Sequence, residues 1–114
     1  MASPIEISVP QLLRRLGLPN QPVLIDVCLD DDFAEDPRLI PTSRRWPFAR
    51  IQELVPELRG KSVVVICQKG KKLSQGAVAL LRSHAIKAET LAGGVVAWRA
   101  ACAPMTSVAT LPDS

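Results

Sequence analysis

The chain has 114 residues, 47% of them hydrophobic and 22% charged, with a net charge of +3. That length suits one domain built on one core, so residues 1–114 are expected to form a single domain, with a core over about 5–104 and a tail over 105–114. No apolar run approaches the ~18 residues of a membrane span, no signal-peptide pattern opens the chain, and the dispersed charge comes with only two Trp and two Phe, so neither a membrane nor a nucleic acid is an expected partner.

Residues 1–4 carry no pattern and are expected to be loose. Ile5 to Val9 alternates and suits a short edge strand. Ser8 can cap a helix from Pro10 to about Leu16, with Pro10 placed early, where its missing N–H does no harm, and Gly17 and Pro19 ending it. Val23-Leu-Ile-Asp-Val27 is a second strand. Its carboxylate, Asp26, needs a loop to hydrogen-bond or a place at the strand's end, and a structural part is favoured for it. Cys28 follows at the strand's tip.

Residues 29–40 contain Asp30, Asp31, Asp32, Glu35 and Asp36 and read as a helical turn and loop with a solvated acidic face. A third, short strand fits Arg44 to Phe48, with Arg44, Arg45 and Trp46 read as surface residues rather than as the rim of a site. Ile51, Leu54, Val55 and Leu58 make an amphipathic helix, interrupted late by Pro56 and closed by Gly60.

Residues 61–84 are the centre of the chain. Val63 to Ile66 is a β-branched run that suits a buried strand. It ends on Cys67, passes through the loop Gln68 to Lys72, and meets a helical face made by Leu73, Ala77, Leu80, Leu81 and His84. The amides of a tight loop and of a helix's first turn lack partners and favour an anion, and Lys69, Lys71 and Lys72 add positive charge. Such a place favours the thiolate, which is the nucleophilic form. A cysteine closing an apolar strand is often only packing; the Lys-Gly-Lys-Lys loop after it favours the reactive reading.

Lys87 to Leu91 suits a fifth strand, Gly93-Gly94 a sharp turn, and Val95 to Ala101 a last helix with Trp98 in the core. Three cysteines, Cys28, Cys67 and Cys102, show no CxxC or Cys/His spacing, so neither a disulfide framework nor a metal site is expected, and a reducing cytoplasm is the expected location. Strands alternating with helices indicate an α/β domain with a mainly parallel five-stranded sheet and helices on both faces. Sites in such sheets form beyond the C-terminal ends of the strands, the edge to which Cys67 and Cys28 both map.

Leu24-Ile-Asp-Val27, Asp32-Phe-Ala-Glu35, Ile40-Pro41, Val64-Val-Ile-Cys67, Gln68-Lys-Gly-Lys-Lys72, Leu91-Ala-Gly-Gly94 and Ala97-Trp98 resemble, in order, the signatures of rhodanese-like domains. The segment from Cys67 to Gly76 is similar to single-domain bacterial sulfurtransferases associated with chromate resistance, a link of naming and neighbourhood rather than of chemistry. The resemblance implies a rhodanese-like fold and a cysteine, Cys67, that takes sulfane sulfur from a donor such as thiosulfate. It implies that Gln68, Lys69, Gly70, Lys71, Lys72 and Leu73 cradle the persulfide, whose outer sulfur passes to cyanide or a thiol. No cofactor is implied.

Three departures stand out. Lysines replace the arginine that many members carry in the loop, supplying point charges without bidentate geometry. Cys28 stands where many members have the arginine of Asp-Val-Arg. The usual His-Ile-Pro-Gly-Ala segment is Arg38-Leu-Ile-Pro-Thr-Ser43. Two other readings are set beside the enzyme: a rhodanese-fold sulfur carrier or binding module that depends on a partner, and a phosphatase or arsenate-reductase-like oxyanion site. The last needs an arginine six residues after the cysteine, and Leu73 stands there. Cys28, with Asp26 beside it, is a candidate accessory thiol that could discharge a Cys67 persulfide through an internal disulfide; a buried packing role is favoured.

Overall fold

The computed structural model describes residues 5–107, and alternation of strand and helix runs through them. The elements are β1 (Glu6–Ile7), α1 (Val9–Arg15), β2 (Val23–Asp26), α2 (Asp30–Glu35), β3 (Arg38–Leu39), β4 (Arg44–Arg45), a 3-10 segment (Phe48–Leu54) running into α3 (Val55–Leu58), β5 (Ser62–Ile66), α4 (Lys72–Ser83), β6 (Lys87–Leu91), α5 (Gly94–Ala100) and β7 (Thr106–Ser107). Five strands pair in the order β1-β6-β5-β2-β4, all parallel. This is the expected sheet. The antiparallel ribbon of β3 and β7 is an addition that no sequence pattern announced.

The sheet is buried on both faces, which is why its central strands read as unbroken apolar runs. Val63, Val65, Ile25 and Val27 face the layer of Ile51, Leu54, Leu58, Ala77, Val78 and Leu81. Val64, Ile66 and Leu24 face the layer of Val9, Leu12, Val95 and Trp98. Because side chains alternate along a strand, Cys67 falls in the first layer and Cys28 in the second.

Local chemistry explains the helix starts. Ser8 closes a capping box: its hydroxyl accepts the Gln11 N–H at 3.2 Å, and the Gln11 side chain accepts the Ser8 N–H at 2.9 Å, leaving Pro10 in the first turn. Pro56 does not interrupt a helix late, as expected from the sequence; it sits in the first turn of α3, after the 3-10 segment. The buried face of α4 is Ser74, Ala77, Val78 and Leu81. Leu73 and Leu80 are only partly buried and His84 caps the helix, so the expected stripe was rotated by about one position.

Trp98 is fully buried and donates its indole N–H to the Pro104 carbonyl at 2.7 Å. That bond turns the chain back so that Ala103 and Met105 pack on the second layer and Thr106–Ser107 pair with β3. The tail expected from 105 therefore begins with a packed strand; residues 108–114 of it, and residues 1–4, lie outside the described residues.

Asp36 ties the end of α2 to α5. Its carboxylate takes two hydrogen bonds of 2.7 Å from Arg38 and one of 2.9 Å from Arg99. The Arg38 bonds first, and Arg99 after them, hold its pKa down to about 2 against the opposing effect of burial. A depressed carboxylate stabilises the fold above the unfolded value of ~3.9 and stops doing so as pH falls through the folded one. Asp36→Asn is thus expected to lower the urea-unfolding free energy by about 1 kcal/mol at neutral pH. The difference from wild type should shrink as pH falls from about 4 towards 2, and an unchanged difference there would contradict this role.

Candidate active site

The site forms where β5 ends. Cys67 is buried, 5% exposed, at the floor of an open mouth of about 290 Å³ lined by Asp32, Gln68, Lys69, Lys71, Lys72 and Leu73. Two groups touch its sulfur. The Gly70 N–H donates to Sγ at 3.1 Å, and the Ser74 hydroxyl lies 3.1 Å away. In the thiol form S–H donates to Ser74 Oγ, and the Ser74 hydroxyl donates to the Lys71 carbonyl at 3.4 Å. On loss of the proton that hydroxyl can turn to the sulfur, giving a charge-assisted bond.

The loop holds this shape because its carbonyls are used elsewhere. The first turn of α5 donates Val95 N–H to the Cys67 carbonyl and Val96 N–H to the Gln68 carbonyl, each at 3.0 Å. With those oxygens turned towards α5, the Gly70 amide is free to point at the sulfur. Close approach of the two turns requires glycine: a Cβ on Gly94 would stand 2.3 Å from the Cys67 carbonyl oxygen and 2.6 Å from the Gly70 nitrogen. Gly70 and Gly94 have φ of 71° and 61°, which side chains rarely adopt.

Of the loop amides expected to favour an anion, that of Gly70 reaches the sulfur, joined by the Ser74 hydroxyl. Among the described residues the N–H groups of Lys71, Lys72 and Leu73 have no protein acceptor, but they belong to the start of α4, beyond the sulfur's own contacts. The mouth nonetheless gathers the loop residues singled out from the sequence, from Cys67 to Leu73 except Gly70, whose N–H bonds the sulfur. Ser74 was missed. Its signal was a hydroxyl on the same helical face as Ala77, Val78 and Leu81, seven residues after the cysteine.

Ser74→Ala tests that hydroxyl. Losing a bond to the anion disfavours the thiolate by about tenfold, while a more basic thiolate is intrinsically more nucleophilic, with a Brønsted coefficient of ~0.4–0.5. Alkylation of Cys67 by iodoacetamide at neutral pH should slow by about three- to fourfold. An unchanged rate would show that the hydroxyl does not act on the sulfur.

Cys28 and Asp26 form a separate arrangement. Asp26 is buried, and its Oδ1 accepts the Cys28 N–H at 2.8 Å, pinning the turn after β2. Burial pushes the Cys28 thiol far up, and the neighbouring Asp26 charge raises it further, with Cys67 adding a smaller effect. Cys28 packs in the layer opposite Cys67, where burial and the Asp26 charge disfavour its thiolate.

Arg45 reaches the turn that carries Cys28. Its guanidinium donates to the Cys28 carbonyl at 2.6 Å and to Asp30 at 3.1 Å, and lies 4.3 Å from the centre of the Phe33 ring. The reading of Arg45 and Trp46 as plain surface residues is corrected accordingly: both line an apolar cleft beside the mouth. The acidic helix is not wholly solvated either, since Asp32 reaches the mouth and Gln68 Nε2 lies 3.5 Å from Glu35.

Among the described residues no cluster of His, Cys, Asp and Glu could hold a metal ion, and no helix is long and apolar enough to cross a membrane. No curated protein is significantly similar to the chain. Solved structures are. A rhodanese-related protein from Thermoplasma volcanium is 22% identical with a TM-score of 0.75, over 89% of this chain and 96% of its own. A thiosulfate sulfurtransferase from Pseudomonas aeruginosa is 23% identical with a TM-score of 0.78, over 96% of this chain, which spans only 20% of that larger protein. A Rhodopseudomonas palustris protein of unknown function, designated a possible tyrosine phosphatase, is 20% identical with a TM-score of 0.76, over 90% of this chain and 84% of its own. These likenesses fall on the fold. The family model for the rhodanese-like domain matches residues 8–101, from the helix cap at Ser8 to the end of α5, and by that match the chain belongs to the rhodanese-like domain family.

Proposed function

We propose that the chain is a sulfurtransferase that carries sulfane sulfur as a Cys67 persulfide from a thiosulfate-like donor to cyanide or a thiol. One observation carries this reading: the Gly70 N–H donates to Cys67 Sγ while the loop carbonyls are bonded to α5. A sulfur anion is stabilised there without a general base. The thiolate attacks the outer sulfur of thiosulfate, the S–S bond pair leaves with sulfite, and Cys67 becomes a persulfide anion. The N–H groups of Lys71, Lys72 and Leu73, with the three lysines, suit that extended anion and the incoming dianion. Cyanide then attacks the outer sulfur, leaves as thiocyanate, and returns the electron pair to Cys67. A free thiol of this kind suits a reducing compartment such as the cytoplasm.

A second reading has its own observation. With Cys67 only 5% exposed, a module that loads sulfur and releases it to one protein acceptor also fits. The oxyanion-hydrolase reading fits poorly, because Leu73 offers no guanidinium where such chemistry needs one.

Thiocyanate formation from thiosulfate and cyanide decides between them. Repeated turnover is expected, slowing several-fold as ionic strength rises from about 0.01 M to beyond 0.1 M and the lysines are screened. Loading once without turnover would favour the carrier. Neither loading nor turnover, with hydrolysis of an aryl phosphate, would overturn both.

A further inference from the structure

Beside the mouth lies a second, larger hollow. It measures about 410 Å³ and shares Leu73 with the Cys67 mouth. Val27, Leu29, Trp46, Phe48 and Ala49 make its walls mainly apolar, beside the charged Asp30 and Arg45. These walls are held in place. The Trp46 indole N–H donates to the Arg50 carbonyl at 2.9 Å, and the Phe48 ring rests on α4 at Gly76, where a Cβ would lie 3.3 Å from it. Leu29 and Phe48 stay 55% and 37% exposed, an apolar rim that nothing in the chain covers among the described residues.

The two hollows differ in chemistry. Thiosulfate is small and doubly negative, and the lysine-lined mouth suits it alone. The apolar cleft is unused by such a donor, yet it adjoins the Cys67 mouth at Leu73. We propose that this cleft seats the body of the sulfur acceptor, a small thiol bearing an aromatic or branched aliphatic group. The inference rests on the sulfurtransferase reading and names its acceptor class. In the step concerned, the acceptor thiolate attacks the outer sulfur of the Cys67 persulfide. A new S–S bond forms on the acceptor, the old one breaks, and its electron pair returns to Cys67 as thiolate; the product is the acceptor's own persulfide. No outside oxidant or reductant is needed.

The test uses the full chain, loaded with thiosulfate and freed of excess donor. Loss of the added sulfur is followed by intact mass during reaction with benzyl mercaptan or with 2-mercaptoethanol, thiols of similar acidity that differ in the apolar ring. Partial burial of the ring predicts that benzyl mercaptan discharges the protein about tenfold faster. Two exposed positions report on the cleft. Ala49→Trp fills it and Phe48→Ala removes a wall, and in each the preference should fall towards parity. Equal rates in the wild type, or a preference that survives both substitutions, would overturn the inference while leaving the sulfurtransferase reading standing. A loaded protein that neither thiol discharges would also overturn it, in favour of a protein acceptor. Failure of thiosulfate to load Cys67 would take both readings down together.

Discussion

Cys67→Ser is expected to bring thiocyanate formation down to background, a loss of at least ~1,000-fold, with the fold intact. The replacement is conservative in shape. Serine's oxygen can still accept from the Gly70 N–H and bond the Ser74 hydroxyl, the two contacts the sulfur makes. A stability change of no more than about 1 kcal/mol is therefore expected at this buried position. What disappears is the nucleophile. A hydroxyl is not ionised at neutral pH, and among the described residues no histidine or carboxylate hydrogen-bonds the side chain of position 67 to remove its proton. In the proposed mechanism the Gly70 amide and the Ser74 hydroxyl support the anion, an arrangement that works only for a group already able to ionise. Turnover that persists in Cys67→Ser would place the chemistry elsewhere in the molecule.

Gly94→Ala carries the second large effect and acts from outside the mouth. The added Cβ would meet three backbone atoms, the carbonyl oxygens of Cys67 and Gln68 and the nitrogen of Gly70, at 2.3, 2.6 and 2.6 Å. None is a flexible side-chain end that could step aside. The backbone there also has φ of 61°, a conformation that costs about 1 kcal/mol or more for any residue with a side chain. Either α5 must withdraw, breaking the Val95 and Val96 hydrogen bonds to the loop, or the loop itself must move. A destabilisation of about 3 kcal/mol is expected in urea unfolding. Sulfur transfer should fall by about 100-fold in the fraction that remains folded, since a displacement near 1 Å is enough for that. Wild-type rates in Gly94→Ala would show that the contact between the two turns does not shape the cradle.

These two positions also show what could be read in advance. Val63 to Cys67 was legible because a strand buried on both faces has no polar residue to hide it, and the loop after it was legible by charge. The glycine pair at 93 and 94 was readable as a turn, but not as the partner of the Cys67 loop, because that contact joins segments more than twenty residues apart. Ser74 was hidden for a related reason: a serine among apolar helical positions looks like tolerated substitution until the sulfur opposite is seen. Arg45 anchors a carbonyl seventeen residues away, and its neighbours alone gave no reason to place it at a rim. The ribbon of β3 and β7, two residues a side, is too short to leave any periodicity. The three-residue-per-turn stretch before Pro56 read as ordinary helix because its apolar spacing serves both geometries.

The central claim is that position 67 holds a sulfur anion able to accept a second sulfur, and intact mass after brief treatment with thiosulfate tests it most directly. The account predicts that wild-type protein gains the mass of one sulfur atom, that peptide mapping places it on Cys67, and that cyanide removes it. An added sulfur found instead on Cys28 or Cys102, or gained equally by Cys67→Ser, would contradict it.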